Sequence, residues 1–187
     1  MKPAAGQEPT IPQRIDDIDW ESWQPVDRGT ILFVIRNGEI LLIHKKRGLG
    51  AGKVNGPGGR LDDGETPVEC AVREVEEEVR VTPIGTRECG QLLFQFLDGY
   101  SIHVWVFRAD DCQGSPTETE EADPFWVPLD SIPYESMWAD DAIWLPLLIQ
   151  DQGFHGRFVF DRDRMLDYQV LDPDGTLAMA MQTEDER

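Results

Sequence analysis

The stretch NGPGGRLDDGETPVECAVREVEEEVR, residues 55–80, joins a glycine-rich loop to a segment crowded with glutamates. Within that segment, glutamates occupy positions 74, 76, 77 and 78. Like charges at such spacing repel one another, so a folded chain needs a compensating interaction to gather them. The structure predicted for this stretch therefore bears on both the fold and the function of the chain.

The residues from Thr66 to about Arg80 predict an α-helix. Thr66 is a favourable N-cap, Pro67 suits the first helical position, and Glu69 completes a capping box. At about 100° per residue, the helical positions separate into distinct faces. The face expected to pack on a sheet is apolar and consists of Val68, Ala71, Val72, Val75 and Val79.

A separate face of this helix carries Glu74, Glu77 and Glu78, and two interpretations of it remain open. Most glutamate clusters are solvated charged surfaces. These acids, however, lie in the C-terminal half of the helix, where the helix dipole disfavours negative charge. A pair at about 6 Å also repels by about 3 kcal/mol at an effective dielectric constant of about 20. A divalent cation would reverse that sign, and carboxylates suit Mg²⁺, Mn²⁺ or Ca²⁺ better than Zn²⁺.

The bulk composition restricts the partners of the chain. Its 187 residues carry a net charge of -19, which disfavours binding to long DNA or RNA. No apolar run approaches the roughly 20 residues of a membrane span, and the first residues lack the apolar centre of a signal peptide. The three cysteines show no C-x-x-C spacing, so a reduced, cytoplasmic protein is expected. A small anionic ligand remains compatible with this charge if a metal ion supplies positive charge locally.

Turn signals between β-rich runs predict a series of hairpins. Residues 30–46 contain two such runs joined by Asn37-Gly38, and residues 90–108 repeat the design around Asp98-Gly99. A last hairpin is predicted over residues 156–171. Strands that follow one another in this way, with two helical segments between them, favour an α+β fold with a mixed sheet.

The second predicted helix and the chain ends complete this organisation. Residues 138–150 are expected to be helical, with Pro146 forcing a kink or a late start. Residues 1–28 are predicted to be a partly disordered N-terminal arm, with Trp20 and Trp23 as candidates for docking on the domain. The predicted folded domain covers residues 29–171, and residues 172–187 are predicted to be a polar C-terminal tail.

The glycine loop and the acidic helix together resemble the Nudix box, G-x5-E-x7-R-E-U-x-E-E-x-G-U. The match comprises Gly59, Glu65 and the run Arg73-Glu74-Val75-Glu76-Glu77-Glu78 at the spacing of the motif. The resemblance implies a Nudix-type α/β/α sandwich with the Nudix helix packed on a mixed central sheet. Arg80 stands where the motif has its second glycine, which normally ends the helix in a left-handed conformation, so a strained or altered helix exit is expected.

The Nudix resemblance also implies a role for each matched residue. Mg²⁺, or Mn²⁺ in its place, would be held by Glu74, Glu77 and Glu78, with the Gly58 carbonyl as a further ligand. Glu78 would be the base that activates water, Arg73 would orient an acid, and Glu65 would brace the loop. The implied reaction is hydrolysis of a nucleoside diphosphate linked to another group, in which water attacks phosphorus.

A longer resemblance, over about residues 30–170, links the chain to animal-type oxidised purine nucleoside triphosphatases within this family. The matching segments are KKRGLGAGKVNGPGG, GSPTETEEADPFWVPLDSIPYESMWADD and FHGRF. The resemblance implies a purine pocket formed by Asn55, Phe94, Phe96, Trp138, Asp140 and Asp141, and it implies that Glu121 is a further acid near the metal. The chain departs from that group at Val54 and Leu49, which stand in place of aromatic residues.

Alternative interpretations of this pocket remain open. Asp140 and Asp141 also fit an acid pair at a helix N-terminus, with Trp138 as a core residue. As a purine site, two adjacent carboxylates would not both ionise readily, so one could donate and the other accept a hydrogen bond. The expected activity is hydrolysis of oxidised purine nucleoside triphosphates such as 8-oxo-dGTP to the monophosphate and pyrophosphate, for nucleotide-pool sanitation and DNA repair, by a monomer or dimer. The alternatives are another Nudix substrate, namely dGTP, a dinucleoside polyphosphate or a nucleotide sugar, and a non-catalytic nucleotide sensor.

Overall fold

The computed structural model describes residues 11–181 and contains a mixed nine-stranded sheet with a helix on each face. The strands are β1 (Asp27–Arg36), β2 (Glu39–Lys45), β3 (Val54–Asn55), β4 (Thr82–Ile84), β5 (Arg87–Phe96), β6 (Ser101–Ala109), β7 (Asp111–Gln113), β8 (Ala122–Pro128), β9 (Phe154–Asp161), β10 (Arg164–Leu171) and β11 (Leu177–Ala180). The helices are α1 (Pro67–Val79) and α2 (Asp141–Ile149), with two 3-10 turns at Ile15–Asp17 and Tyr134–Ser136.

The strand order confirms the predicted α+β fold. The sheet runs β11-β10-β9-β5-β6-β1-β2-β3, with β8 paired to β2, and a separate two-stranded sheet joins β4 to β7. The β1–β6 and β5–β9 pairs are parallel, and the others are antiparallel. The predicted hairpins are present: Asn37 and Gly38 both have positive φ, as a type I′ turn requires, and Gly99 has φ 92° in the β5–β6 turn.

Helix α1 begins as predicted. The Thr66 side chain accepts a hydrogen bond from the Glu69 N–H, and the Glu69 carboxylate accepts one from the Thr66 N–H at 2.9 Å. The helix ends at Val79, and Arg80 takes the left-handed conformation with φ 63° and ψ 29°. The expected strained exit is therefore present, because a side chain occupies a conformation that glycine adopts freely.

The buried face of α1 differs from the predicted apolar face. Ala71, Val75 and Val79 are fully buried against β1 and β2, as expected, but Val68 is 42% exposed. Cys70 and Glu78 are buried instead. The prediction for Val68 was wrong because the glycine loop packs on the glutamate side of the helix, which moves the buried stripe toward the acids.

Two apolar layers lie on the two faces of the sheet. One layer lies under α1, and the other lies under α2, where Trp144, Leu145 and Leu148 pack against residues such as Phe33 and Phe158. Neighbouring positions on β1 and β2 alternate between the two layers, as the period of two in a strand requires. Pro146 lies inside α2, which begins at Asp141, so the helix has no late start.

The described parts of the predicted arm and tail contact the sheet. Ile15 is buried and its N–H donates to Asp167 Oδ2 at 2.9 Å, and the Trp23 indole donates to Gln95 Oε1 at 2.9 Å. Strand β11 lies within the predicted tail, and it pairs with β10 of the predicted domain. Residues 1–10 and 182–187 lie outside the described residues, and the domain limits of 29–171 stay a prediction. No helix within residues 11–181 is long and apolar enough to cross a membrane.

The strained exit of α1 generates a stability prediction. Arg80→Gly should raise the free energy of unfolding by about 1 kcal/mol, since glycine removes the cost of the left-handed conformation but gains freedom when unfolded. Urea denaturation measures this change. Arg80→Ala is the control, because it removes the same charge and keeps the strain; equal stability of the two variants would contradict the prediction.

Candidate active site

The glycine loop between β3 and α1 lies directly against the acidic flank of the helix. The Gly58 N–H donates to Glu78 Oε2 at 3.0 Å. A Cβ added to Gly59 would lie 2.4 Å from the Glu74 carboxyl carbon, and one added to Gly58 would lie 2.1 Å from the Thr30 carbonyl oxygen. No side chain fits at Gly58, because it would meet the backbone of β1, and a side chain at Gly59 would displace the Glu74 carboxylate.

Arg73 connects the loop to the acids of α1. Its guanidinium forms two hydrogen bonds to Glu65, at 2.8 and 2.9 Å, and its Nη1 donates to Glu74 Oε1 at 2.8 Å and to Glu77 Oε2 at 3.2 Å. The fork geometry of arginine suits this two-point contact with a carboxylate. The hydrogen bonds from Arg73, helped by its charge, lower the pKa of Glu65 to about 2, so Glu65 is ionised at neutral pH. Arg73 is thus placed where it can orient Glu74, as predicted.

Lys45 is a site residue that the sequence analysis missed. Its Nζ donates to Glu78 Oε1 at 3.0 Å and to the Gly58 carbonyl at 3.3 Å, and the Glu78 side chain is 2% exposed. Burial raises the pKa of Glu78, while the Lys45 charge opposes that rise. Strand alternation was an available signal, because Leu41 and Ile43 face α1 and Lys45 has the same parity on β2.

The oxygen atoms at this flank fit a hard divalent cation. No three His, Cys, Asp or Glu side chains within residues 11–181 converge as a metal cluster, since cationic side chains hold the acids. Lys45 pairs with Glu78, and Arg73 pairs with Glu74 and Glu77. The Lys45 ammonium is nevertheless shared by the Gly58 carbonyl and Glu78, two of the predicted ligands. These carbonyl and carboxylate oxygens already converge on one positive charge. Oxygen ligands of this kind are the ones that Mg²⁺ prefers.

The remaining predicted acids occupy more open positions. The Glu77 side chain is 60% exposed, and the Glu121 side chain is 46% exposed and pairs with Arg47. The Glu121 charge contributes to the raised pKa of Glu78, which places it in the same electrostatic environment. Burial is the main cause of the raised pKa of Glu74.

A single cavity of about 590 Å³ joins this acidic flank to the predicted purine pocket. The cavity brings together ten of the predicted site residues, namely Asn55, Gly58, Glu74, Glu78, Phe94, Phe96, Glu121, Trp138, Asp140 and Asp141. Glu65, Arg73 and Glu77 are not among the residues that line it. Lys45, Arg47 and Arg60 do line it and supply positive charge beside the acids.

Trp138 forms an aromatic wall of the cavity. Its indole packs edge-on against Phe96, with ring centroids 6.5 Å apart, and against Phe160 at 5.8 Å. The Lys53 ammonium lies over the Trp138 ring, 4.7 Å from its centroid. Trp138 is half-buried rather than a core residue, so part of its surface remains available to the cavity.

Asp140 and Asp141 are buried at the end of the cavity, where α2 begins. They are 3% and 2% exposed. Asp140 Oδ2 accepts a hydrogen bond from the Trp144 indole at 2.8 Å, and Asp141 Oδ2 accepts one from the Trp138 N–H at 3.0 Å. Burial raises the pKa of Asp140 to about 6, and burial together with the Asp140 charge raises the pKa of Asp141. The pair lies at a helix N-terminus and also lines the cavity, and its role in binding a purine stays a prediction.

The residues that depart from the resemblance occupy different positions. Val54 is buried at 3% exposure, whereas Leu49 lines the cavity and is 48% exposed. Asn55 lines the cavity and its Oδ1 accepts a hydrogen bond from the Gly56 N–H at 2.9 Å. Tyr100, to which the sequence analysis gave no role, also lines the cavity, with its hydroxyl donating to Asp27.

The buried Lys45–Glu78 pair generates a metal-dependent prediction. Lys45→Met in EDTA should lower the free energy of unfolding by about 3 kcal/mol, because Glu78 is left buried without its cation. Mg²⁺ should then raise the melting temperature more in this variant than in the unsubstituted protein. Lys46→Met is the matched control, since Lys46 pairs with the exposed Glu118. Equal loss of stability in both variants would contradict the importance of the pair.

The buried aspartates generate a prediction for pH dependence. Their raised pKa values mean that the folded protein binds more protons than the unfolded chain from about pH 4 to above pH 6. This contribution to the free energy of unfolding is present at low pH and is lost as pH rises through the folded pKa values. Asp141→Asn should therefore reduce the loss of stability over this range in denaturation curves. Asp123→Asn is the control, because Asp123 is exposed. If the unsubstituted protein and both variants lose stability identically as pH rises, the buried aspartates are not the cause of the pH dependence.

Comparisons with known proteins agree with this geometry. A sequence model of the NUDIX domain matches residues 25–148. The chain is 40% identical over 144 residues to the oxidized purine nucleoside triphosphate hydrolase of Danio rerio, which covers 76% of this chain and 92% of that protein. It is 40% identical over 147 residues to the Mus musculus protein of the same name, which covers 78% and 94%.

A solved structure shows the same fold. The MutT protein from Bacillus halodurans has a TM-score of 0.69 and 25% identity, and the similarity covers 78% of this chain and 97% of that one. The matched NUDIX region includes the glycine loop, the whole of α1 and the buried aspartates. This chain therefore belongs to the Nudix family of hydrolases.

Proposed function

We propose that this protein hydrolyses oxidised purine nucleoside triphosphates, such as 8-oxo-dGTP, to the nucleoside monophosphate and pyrophosphate. The observation that carries the proposal is the single cavity that joins the acidic flank of α1 to Trp138 and the buried aspartates. A purine in the pocket would place its phosphates toward the glycine loop. The names of the Danio rerio and Mus musculus relatives support this substrate class.

At the phosphate end, the acids of α1 and the Gly58 carbonyl would hold Mg²⁺, or Mn²⁺ in its place. Of the acids that would be ligands, Glu74 and Glu78 lie nearest the loop, and Glu77 and Glu121 are more exposed. When bound, the metal neutralises phosphate oxygens and so lowers the barrier to attack by water. Arg73 holds Glu74 in place through a hydrogen bond, and Glu65 in turn holds Arg73.

Glu78 is the proposed general base. Its raised pKa makes its carboxylate a better proton acceptor than an ordinary glutamate, and its position beside the Gly58 N–H fixes its orientation. Lys45 and the other cations of the cavity, Arg47 and Arg60, are placed to contact the triphosphate. These cations offset part of the negative charge of the acids that line the same cavity.

At the base end, Trp138 would stack on the purine while Asn55 and the aspartate pair read its edge. The raised pKa values of Asp140 and Asp141 allow one carboxyl group to donate and the other to accept a hydrogen bond. Such a pair distinguishes purines that differ in oxo position or tautomer, because a mismatch leaves a buried polar group without a partner. Phe94 and Phe96 supply the apolar lining.

This activity would serve nucleotide-pool sanitation and hence DNA repair in the cytoplasm, by a monomer or dimer that does not bind long nucleic acid. Other Nudix substrates, including dGTP, dinucleoside polyphosphates and nucleotide sugars, are the competing assignments. A sensor without turnover is disfavoured, since the acids of the box and their Arg73 contacts are all retained.

The substrate assignment predicts that, with Mg²⁺, the protein releases pyrophosphate from 8-oxo-dGTP at a higher kcat/KM than from dGTP. Glu78→Gln should lower kcat by about 10²- to 10⁴-fold, the usual effect of losing a general base. Glu76→Gln is the matched control, because Glu76 lies on the same helix but is exposed and bonds only Thr82 through its side chain. Pyrophosphate release measured against both nucleotides provides all these values, and circular dichroism verifies folding.

Two outcomes would overturn different parts of the proposal. Equal kcat/KM values for 8-oxo-dGTP and dGTP would remove the sanitation function and leave the hydrolytic chemistry. Near-normal turnover by the Glu78→Gln protein would assign the base to another acid.

A further inference from the structure

Three side chains from separate segments of the chain meet at the rim of the main cavity. Asp27 begins β1, Arg60 directly follows the two glycines of the loop, and Tyr100 directly precedes β6. Asp27 Oδ2 accepts a hydrogen bond from the Tyr100 hydroxyl at 2.9 Å and lies 2.9 Å from Arg60 Nε. One carboxylate oxygen therefore contacts both of the other side chains.

The backbone of Arg60 is fixed to β1. Arg60 forms an isolated antiparallel bridge with Gly29, and next to this bridge the Thr30 N–H donates to the Gly59 carbonyl at 2.8 Å. The two segments are in close contact, because a Cβ added to Gly29 would lie 2.9 Å from that carbonyl oxygen. The Arg60 side chain thus starts from a fixed point, and Asp27 determines the direction in which its guanidinium points.

This rim lies between the two ends of the cavity that the proposed function uses. Toward the base end, the Tyr100 ring packs on Phe96 with ring centroids 5.7 Å apart, and Phe96 in turn packs against Trp138. Toward the acid end, Arg60 adjoins the glycine that faces Glu74. A nucleotide with its base at Trp138 and its metal-bound phosphates at Glu74 would pass this rim with its sugar and its α-phosphate.

The chemistry of the three side chains suits a phosphate ligand. Burial raises the pKa of Tyr100, so its hydroxyl stays protonated at neutral pH and donates to Asp27. Arg60 and Tyr100 line the cavity, whereas Asp27 contacts these two side chains and is not one of the lining residues. The Arg60 side chain is 65% exposed, and its contact with Asp27 involves Nε. A guanidinium has further N–H donors on its Nη atoms, and these bind phosphate oxygens well.

We propose that Asp27 is a positioning residue, which holds the Arg60 guanidinium toward the α-phosphate of a bound nucleoside triphosphate. The inference rests on the proposed function, because it requires a triphosphate in this cavity. An arginine side chain has many rotamers to lose when it binds a ligand, and a partner that fixes it beforehand removes part of that cost. Tyr100 contributes indirectly, because its hydroxyl contacts the same oxygen of Asp27.

The test measures binding of α,β-imido-dGTP to the full chain with Mg²⁺ by calorimetric titration. In this analogue an N–H group replaces the oxygen between the α- and β-phosphates, so binding is measured without turnover. Arg60→Met should weaken binding about tenfold, the effect of losing one charge-assisted hydrogen bond. Asp27→Asn should weaken it about fivefold, because the guanidinium is no longer held in place. Asp27→Glu keeps the carboxylate and should weaken binding less than Asp27→Asn.

A double-mutant cycle shows whether Asp27 acts through Arg60. In the Arg60→Met protein, Asp27→Asn should cause no further loss of binding, because the side chain that it positions is absent. If Asp27 instead only stabilises the rim, Asp27→Asn should weaken binding by the same factor in both backgrounds. Melting temperatures verify that each variant is folded.

Asp111→Asn is the matched control for the loss of an aspartate that pairs with an arginine. Asp111 lies 2.8 Å from Arg36, and neither residue lines the cavity, so binding of the analogue should be unchanged. Unchanged or tighter binding by a folded Asp27→Asn protein would overturn the inference, and so would an equal loss in the Arg60→Met background. Those outcomes would leave the proposed function standing, since pyrophosphate release tests it separately. A protein that does not bind the analogue at all would overturn both.

Discussion

The contact between the Gly58–Gly59 backbone and the carboxylates of Glu74 and Glu78 is the constraint on which the active site depends. A side chain at Gly58 would collide with the backbone of β1, and one at Gly59 would displace the Glu74 carboxylate. The close approach buries carboxylates that would otherwise repel one another in water, and it gives Glu78 an N–H partner from the loop. Arg73 and Lys45 complete the arrangement by supplying positive charge, so the crowded glutamates are held in an ordered arrangement. The compensating interaction expected from the sequence therefore consists of loop backbone and cationic side chains in this structure.

Much of the fold could be predicted from local signals. The capping box at Thr66, the Asn37-Gly38 turn and the last hairpin depend on neighbouring residues, and each formed as expected. The exposure of Val68 could not be predicted, because the direction in which α1 faces is determined by a loop that packs on its acidic side. Periodicity shows which residues share a face, but it does not show that a carboxylate such as Glu78 will be buried with that face. The packing of Ile15 and Trp23 on the sheet also depends on distant residues, Asp167 and Gln95.

The active site likewise contains some residues that local sequence patterns indicated and others that only the tertiary packing reveals. The spacing of the motif indicated Glu65, Arg73 and the acids of α1. The structure brings Glu65, Glu74 and Glu77 together around the Arg73 guanidinium, whereas Glu78 contacts Lys45. The purine pocket was indicated only by family resemblance, since nothing in the local pattern distinguishes Asp140 and Asp141 from an ordinary helix start. Their burial beside Trp138 and Trp144 is a tertiary effect, and it raises their pKa values. Lys45 was missed because its partner lies 33 positions away along the chain. Strand alternation then explains why Leu92 and Phe94 of β5 line the cavity while Gln91 and Leu93 lie on the other face of the sheet.

The most direct test of the central claim is a crystal structure of the protein with Mg²⁺ and a nucleoside triphosphate analogue that resists hydrolysis. The account predicts that a cation lies between the analogue's phosphates and the oxygens of Gly58, Glu74 and Glu78, with the purine beside Trp138 and the two aspartates. Lys45 should then no longer bridge Gly58 and Glu78. A structure in which the carboxylates of α1 face water and the nucleotide binds away from them would contradict the account.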